Sequence, residues 1–293
     1  MDYFEIKQVH SFKQGGLNIV LDINSGSVHT VDESTWLVLK ALEETEGFWE
    51  PAAQKLQPLL GEKLLAHIKE ELVSLAESSL LFTKDDGKVV LNGEPVIKSL
   101  CLHLAHDCNL RCTYCFASSG HFGGQRLLMD LATGKKALDF LLEHSGERKA
   151  CEVDFFGGEP LMNFEVLKAL VAYGRKAAQG LGKVFNFTLT TNGVLLTEEV
   201  QAFLNREEIS VVLSIDGRPE VNDRMRPMAN GKGSYEVLIP KYRQFAASRN
   251  NENYIVRGTY THFNTDFSRD VSHLFELGFT HLSVEPVVAF PEE

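Results

Sequence analysis

The sequence predicts an α/β protein: a partial (β/α)6 barrel over residues 99–293, joined by a linker at 93–98 to a small α+β domain over 1–92. Three observations carry this. From Leu100 onward, apolar strand-like runs alternate with helical ones, the pattern of repeated βα units and hence of a parallel sheet. Ahead of them, alternation with period two gives way at Ser34 to a helical period, as in a small antiparallel sheet followed by helices. Between the two regions, Asn92-Gly93-Glu94-Pro95 interrupts both patterns.

In the first region residues 3–32 alternate, with Leu17, Ile19, Leu21 and Ile23 assigned to one face after the Gly15-Gly16 turn. A second turn at Asn24-Ser25-Gly26 leads into Val28-His29-Thr30-Val31. Trp36, Leu37, Leu39, Lys40 and Leu42 then fit a helix capped by Asp32, and residues 64–81 a longer amphipathic helix after Gly61. Asp85-Asp86-Gly87 turns into the closing run Val89-Val90-Leu91. In the second region the strands fall at 100–105, 152–156, 185–190, 210–215, 254–261 and 281–285, with helices at 130–142, 164–179, 198–204, 235–248 and 268–277. Short connections suit an open or partial barrel, and a doubly wound sheet is the alternative. In either, ligands gather at the carboxyl ends of the strands.

Composition narrows the class of function. No run of about 18 apolar residues is present, and the N-terminus lacks a basic and then apolar signal, so the expectation is a cytoplasmic protein without membrane contact. The net charge of −11 and the lack of a Lys/Arg run argue against a nucleic acid partner. Five cysteines, three of them clustered, point to a reducing compartment and metal chemistry. The other two, Cys101 and Cys151, sit in or beside apolar runs and read as buried free thiols.

The cluster is His106-Asp107-Cys108-Asn109-Leu110-Arg111-Cys112-Thr113-Tyr114-Cys115-Phe116, at the end of the first strand of the repeat. Three thiolates leave a cubane of four irons one ligand short, so one iron stays open to a small chelating molecule. A zinc site or a group of reactive thiols are the alternatives; zinc wants a fourth ligand. His103 and His106 could supply it on paper, but side chains three apart on a strand are expected on opposite faces. The later strands end in Phe156-Gly157-Gly158-Glu159-Pro160, Thr190-Thr191-Asn192-Gly193, Ser214-Ile215-Asp216-Gly217, Arg257-Gly258-Thr259 and Glu285-Pro286. All are polar or glycine-rich, a ring of turns around one mouth. Glycines let backbone approach a ligand, and carbonyls with a carboxylate can receive an amine, although a plain tight turn would look the same.

The C-x3-C-x2-C spacing, with Tyr114 before the last cysteine and Phe116 after it, resembles that of radical S-adenosylmethionine (SAM) enzymes. The resemblance implies a [4Fe–4S] cluster on Cys108, Cys112 and Cys115 whose open iron takes the amino and carboxylate groups of SAM, with Tyr114 and Phe116 against the adenine. Gly157, Gly158 and Glu159 resemble the motif that holds the methionine ammonium, and Ser214 and Asp216 the positions that bond the ribose hydroxyls; Asn192 is similar. Arg257 would meet the SAM carboxylate or a structural one, and Glu285 would line the site or cap the barrel.

A closer resemblance lies in three stretches: residues 99–105 through Ala117-Ser118, residues 153–164, and Val221-Asn222-Asp223-Arg224-Met225-Arg226-Pro227 with Asn230-Gly231-Lys232-Gly233-Ser234-Tyr235. With Asn18-Ile19-Val20-Leu21-Asp22 and Gly26-Ser27-Val28-His29 they resemble the maturases of six-cysteines-in-forty-five-residues (SCIFF) peptides. Residues 1–92 then resemble a winged-helix-like element that binds a leader peptide by adding it as a strand; a packing or dimerisation domain is the alternative. The implied function is reductive SAM cleavage and a thioether from cysteine sulfur to an acceptor α-carbon, threonine in this family, in a cysteine-rich ribosomal precursor peptide. A reducing electron donor would be the second partner. Members of this family continue into a domain with two auxiliary [4Fe–4S] clusters, expected only in a full-length form; ending at Pro291-Glu292-Glu293, this chain reads as truncated. No general base stands out. A formylglycine-generating radical SAM enzyme and a non-catalytic leader-binding fragment remain alternatives.

Overall fold

The computed structural model describes residues 2–85, 87 and 95–288. Contacts divide the chain into two compact units, Met1–Gly93 and Glu94–Glu293. The proposed closing run Val89-Val90-Leu91, the linker residues 92–94 and the last five residues lie outside the described residues.

In the first unit β1 (Val9–Gln14), β2 (Leu17–Asp22) and β3 (Val28–Val31) form an antiparallel sheet in that order. Three helices follow, α1 (Glu33–Glu44), α2 (Trp49–Leu60) and α3 (Glu62–Glu77). The Asp32 carboxylate accepts from the Thr35 amide at 2.7 Å, capping α1 as its sequence position implies. The side of β2 that goes inside, however, is not the one carrying Leu17, Ile19 and Leu21. Val20 and Asp22 are fully buried, whereas Leu17 and Ile23 are more than half exposed. Asp22 can go inside because its carboxylate accepts from the Ser25 amide (2.9 Å), the Thr83 amide (3.0 Å) and the Thr83 hydroxyl. Burial opposes its charge, yet those bonds hold the carboxyl below its usual range. Helix α2 escapes the sequence reading because Pro51 and Pro58 obscure it. The first lies in the opening turn, where no amide donor is needed, and Trp49, Ala52 and Leu56 bury one stripe.

The second unit is built on six parallel strands in sequence order: β4 (Ser99–Ala105), β5 (Ala150–Gly157), β6 (Val184–Thr191), β7 (Ser210–Ser214), β8 (Tyr254–Tyr260) and β9 (Leu282–Pro286). Between them lie α4 (Leu131–His144), α5 (Phe164–Gly180), α6 (Glu198–Arg206), α7 (Pro219–Met225), α8 (Tyr235–Ser248) and α9 (Phe267–Glu276). The strand order never reverses, so it has no switch point of the doubly wound kind. One set of alternating strand residues is buried with the helices: Leu102 and Leu104, Val153 and Phe155, Phe187 and Leu189, and Val211 and Leu213 pack with Leu138, Leu170, Phe203 and Leu238. The other set, including His103, Phe156, Thr190, Ser214 and Arg257, is only partly buried. This polar, half-open face leads up to the carboxyl ends of the strands. The short helix α7, missed in the sequence, starts on Pro219 and carries the Asn-Asp-Arg-Met motif.

Candidate functional site

Four backbone hydrogen bonds fix the cysteine loop and the strand end that leads into it. Arg111 N–H donates to the Pro227 carbonyl (2.8 Å) and Thr113 N–H to the Met225 carbonyl (2.9 Å), so the end of α7 straps the loop from one side. On the other side the Glu159 amide donates to the Asp107 carbonyl at 2.9 Å and the Gly158 amide to the Ala105 carbonyl at 2.8 Å. The two glycines make this approach possible. A Cβ on Gly158 would lie 2.1 Å from the Asp107 carbonyl oxygen, and Gly157, at φ +121°, would bring one to 2.5 Å from that of Ala105. Gly157-Gly158 therefore has a loop-packing role that the sequence reading did not distinguish from ligand approach.

Around this junction lies a cavity of about 360 Å³. Cys108, Cys112, Cys115, Tyr114, Phe116, Gly157, Gly158, Asn192, Ser214, Arg257 and Glu285 all line it. Eleven of the thirteen expected site residues are thus brought together. The exceptions are Glu159 and Asp216, whose carboxylates turn inward. Glu159 is fully buried and accepts from the Asn192 amide (2.8 Å), the Thr191 hydroxyl (2.8 Å) and the Leu161 amide (3.0 Å). Its oxygens are committed to fastening β6 beside β5 rather than offered to an ammonium group. Burial pushes its carboxyl up to about 7 against those bonds.

Asp216 departs from expectation in the same way. Its carboxylate accepts from Arg226 Nε (2.9 Å), the Tyr114 hydroxyl (2.8 Å) and the Thr259 amide (2.9 Å), and none of its side chain is exposed. An oxygen so occupied is not free for ribose hydroxyls. Its task is to hold Arg226, which lines the cavity and stands 5.4 Å from the centre of the Tyr114 ring. Burial opposes the charge on that guanidinium, and the Asp216 carboxylate beside it outweighs the opposition and holds its pKa above the usual range. Arg226 was quoted in the sequence within the Asn-Asp-Arg-Met-Arg-Pro motif but given no role. The available signal was a cation beside a helix end with an aspartate at a strand terminus ten positions earlier.

Arg257 is half exposed and ion-paired with Glu285, so the carboxylate it meets here is structural, although both side chains face the cavity. His103 and His106 do not point apart as expected. A register irregularity between His103 and Ala105 brings their rings to 5.7 Å, and His103 stacks on Phe122 at 4.6 Å. Cys151 is buried as expected, while Cys101 is exposed.

The donor set suits an iron–sulfur cluster. Burial pushes the Cys108 thiol up to about 12 and raises that of Cys112, so thiolates there need compensating positive charge, which ligated iron supplies. Beside them Asn109 Nδ2 is a buried donor with no partner among the described residues. Among the described residues no three His, Cys, Asp or Glu side chains converge on a single ion. A cubane gives each thiolate its own iron and needs no such convergence.

Thiols, glycine loop and a charged cavity wall gather at the carboxyl ends of an in-order parallel sheet, a setting suited to a [4Fe–4S] cluster. The chain belongs to the 4Fe-4S single cluster domain family, whose model matches residues 91–240. It is 25% identical over 191 residues to the radical SAM cyclopropyl synthase TigE of Paramaledivibacter caminithermalis, covering 58% of this chain and 38% of that one. It is 29% identical over 141 residues to a cysteine-type anaerobic sulfatase-maturating enzyme of Clostridium novyi, covering 45% and 36%. The chain thus spans well under half the length of these relatives. The structure of native anSMEcpe with bound AdoMet and Kp18Cys peptide superposes with a TM-score of 0.58 over 65% of this chain and 51% of that one, at 23% identity, a likeness of fold.

Proposed function

We propose that the protein is a peptide maturase that cleaves SAM reductively and joins a cysteine sulfur to an α-carbon in a cysteine-rich ribosomal precursor peptide. The observation that carries this reading is the cysteine loop, docked through Gly157-Gly158 at the mouth of a parallel sheet and opening on the shared cavity. The thioether reading itself rests on the sequence resemblance to SCIFF maturases, in residues 99–118, 153–164 and 221–235. When bound, the cluster and SAM supply a carbon-centred oxidant that removes a hydrogen atom. The crosslinked peptide would lose a hydrogen atom from the α-carbon and a proton with an electron from the thiol, and the bound cofactors would supply the acceptor for each.

The protein's share is placement. Cys108, Cys112 and Cys115 would hold the cluster, and the carbonyls at Gly157 and Gly158 would face the methionine ammonium. Ser214 would bond the ribose, and Tyr114 and Phe116 would lie against the adenine. Arg226, fixed by Asp216, adds a cation for the SAM carboxylate, a role the sequence reading offered to Arg257. Residues 99–293 would form a partial (β/α)6 barrel and residues 1–92 a winged-helix-like leader-binding domain, joined by 93–98. Among the described residues the outer strands β1 and β3 each have one neighbour in their sheet, the edge chemistry such binding needs. No helix among the described residues is long and apolar enough to cross a membrane, and we place the protein in the cytoplasm with a soluble electron donor.

Mass spectrometry of a cysteine-rich precursor, incubated anaerobically with the reconstituted protein, SAM and a reductant, tests the reading. Loss of two hydrogens with a Cys-to-α-carbon link is expected. A serine or cysteine converted to formylglycine would favour instead the chemistry that the Clostridium novyi relative's name describes.

A further inference from the structure

We infer that Asn192 and Asn109 form an amide pair that sets the reduction potential of the cluster from its Cys108 corner. The inference rests on the assignment of that cluster to Cys108, Cys112 and Cys115. Asn192 Oδ1 accepts the Val194 amide at 3.1 Å, which decides how the side-chain amide is turned. Its NH₂ group is left facing the loop, 2.7 Å from Asn109 Oδ1 and 3.5 Å from the Cys108 sulfur. The Leu110 amide points at the same sulfur from 3.4 Å. With Asn109 Oδ1 taken up by Asn192, the Asn109 NH₂ is the buried donor that has no partner among the described residues.

Donors around a ligating sulfur stabilise the more negative, reduced state of a cluster and so raise its potential. The pair is held from behind. Glu159 accepts the Asn192 backbone amide, so a buried carboxylate on one strand end fixes a side chain on the next. Asn192 and Asn109 are therefore positioning residues, acting through the thiolate and not on substrate.

The test uses the full chain, reconstituted anaerobically with iron and sulfide. Iron and sulfide are counted, and the one-electron reduction by dithionite is followed by electron paramagnetic resonance at controlled potential. Asn192→Ala is expected to keep its iron and to move the reduction equilibrium about tenfold toward the oxidised form, equivalent to about 59 mV more negative. Asn109 Oδ1 stands 3.9 Å from the same sulfur and competes for the Asn192 NH₂, so Asn109→Ala should move the equilibrium the other way by less, and Asn192→Asp, which places an acceptor against the sulfur, should move it at least as far as Asn192→Ala and in the same direction as that variant. An Asn192→Ala protein with full iron and an unshifted potential overturns the inference. Should that variant lose its cluster, Asn109→Ala decides: a shift toward the reduced form with iron retained supports the pair, and no shift, a shift toward the oxidised form, or loss of iron from both, sinks it. A wild-type protein that holds no cluster would instead overturn the cofactor assignment beneath it.

Discussion

Asp216→Ala removes the acceptor shared by Arg226 Nε, the Tyr114 hydroxyl and the Thr259 amide, and leaves a buried guanidinium without a counter-charge. Breaking a buried ion pair from one side costs about 3–5 kcal/mol, because the remaining charge keeps its desolvation penalty. The stability of a domain this size is about 10–15 kcal/mol, so the loss is roughly a third of it. At about 2–4 °C per kcal/mol, the unfolding transition of the second unit should fall by roughly 6–20 °C. Circular dichroism melts of the metal-free chain measure this. Arg226→Met should cost a comparable amount, since it strands the carboxylate instead. The double variant Asp216→Ala/Arg226→Met should be far more stable than the sum of the two single losses, as the uncompensated charge disappears with its partner. Additive losses in that cycle, or an Asp216→Ala melt within 2 °C of wild type, would refute the coupling of these two side chains.

Four further outcomes are expected. Cys112→Ala should abolish 5′-deoxyadenosine formation and reduce bound iron; a variant that still cleaves SAM would contradict the cluster assignment. Gly158→Ala drives a Cβ into the Asp107 carbonyl at 2.1 Å, and should lower cluster incorporation on reconstitution even if the chain folds, which iron analysis reports. Glu159 has its folded carboxyl raised to about 7 from the ordinary 4.5, so its contribution is present in full below about pH 4.5 and is lost as pH rises through 7. The size is about 3 kcal/mol, and urea titrations at pH 5 and pH 8 should show that decline in wild type and a flatter profile in Glu159→Gln. Deleting residues 1–90 should weaken binding of the precursor leader in fluorescence anisotropy while leaving uncoupled SAM cleavage; equal affinity would count against leader binding.

Much of the second unit was legible because its signals are local. The Tyr235–Ser248 helix was placed to the residue, and each expected strand overlaps an observed one within two residues at either end. Hydrophobic periodicity and glycine-rich strand ends need no distant partner to be read. The three cysteines were read from residue chemistry and spacing, and the glycine pair from its strand-end position and its resemblance to a known motif, and they converge on one cavity. What failed depended on partners far along the chain. Which side of β2 goes inside was not legible, because Asp22 finds a donor in Thr83, 61 positions away. His103 and His106 come together through a strand irregularity that leaves no mark in composition.

The sequence by itself determined which side chains could bind metal, where strands end, and that their ends carry polar turns. Tertiary structure alone decided which carboxylates face the cavity and which are consumed within the protein. Glu159 and Asp216 look like ligand-binding groups in one dimension. Once folded, each meets three donors whose bonds satisfy it, and a buried charge with satisfied oxygens has little left to offer a ligand. The same closure put Arg226 at the cavity wall: a buried cation is tolerable only beside the carboxylate that folding brings to it, and no spacing rule announces that meeting.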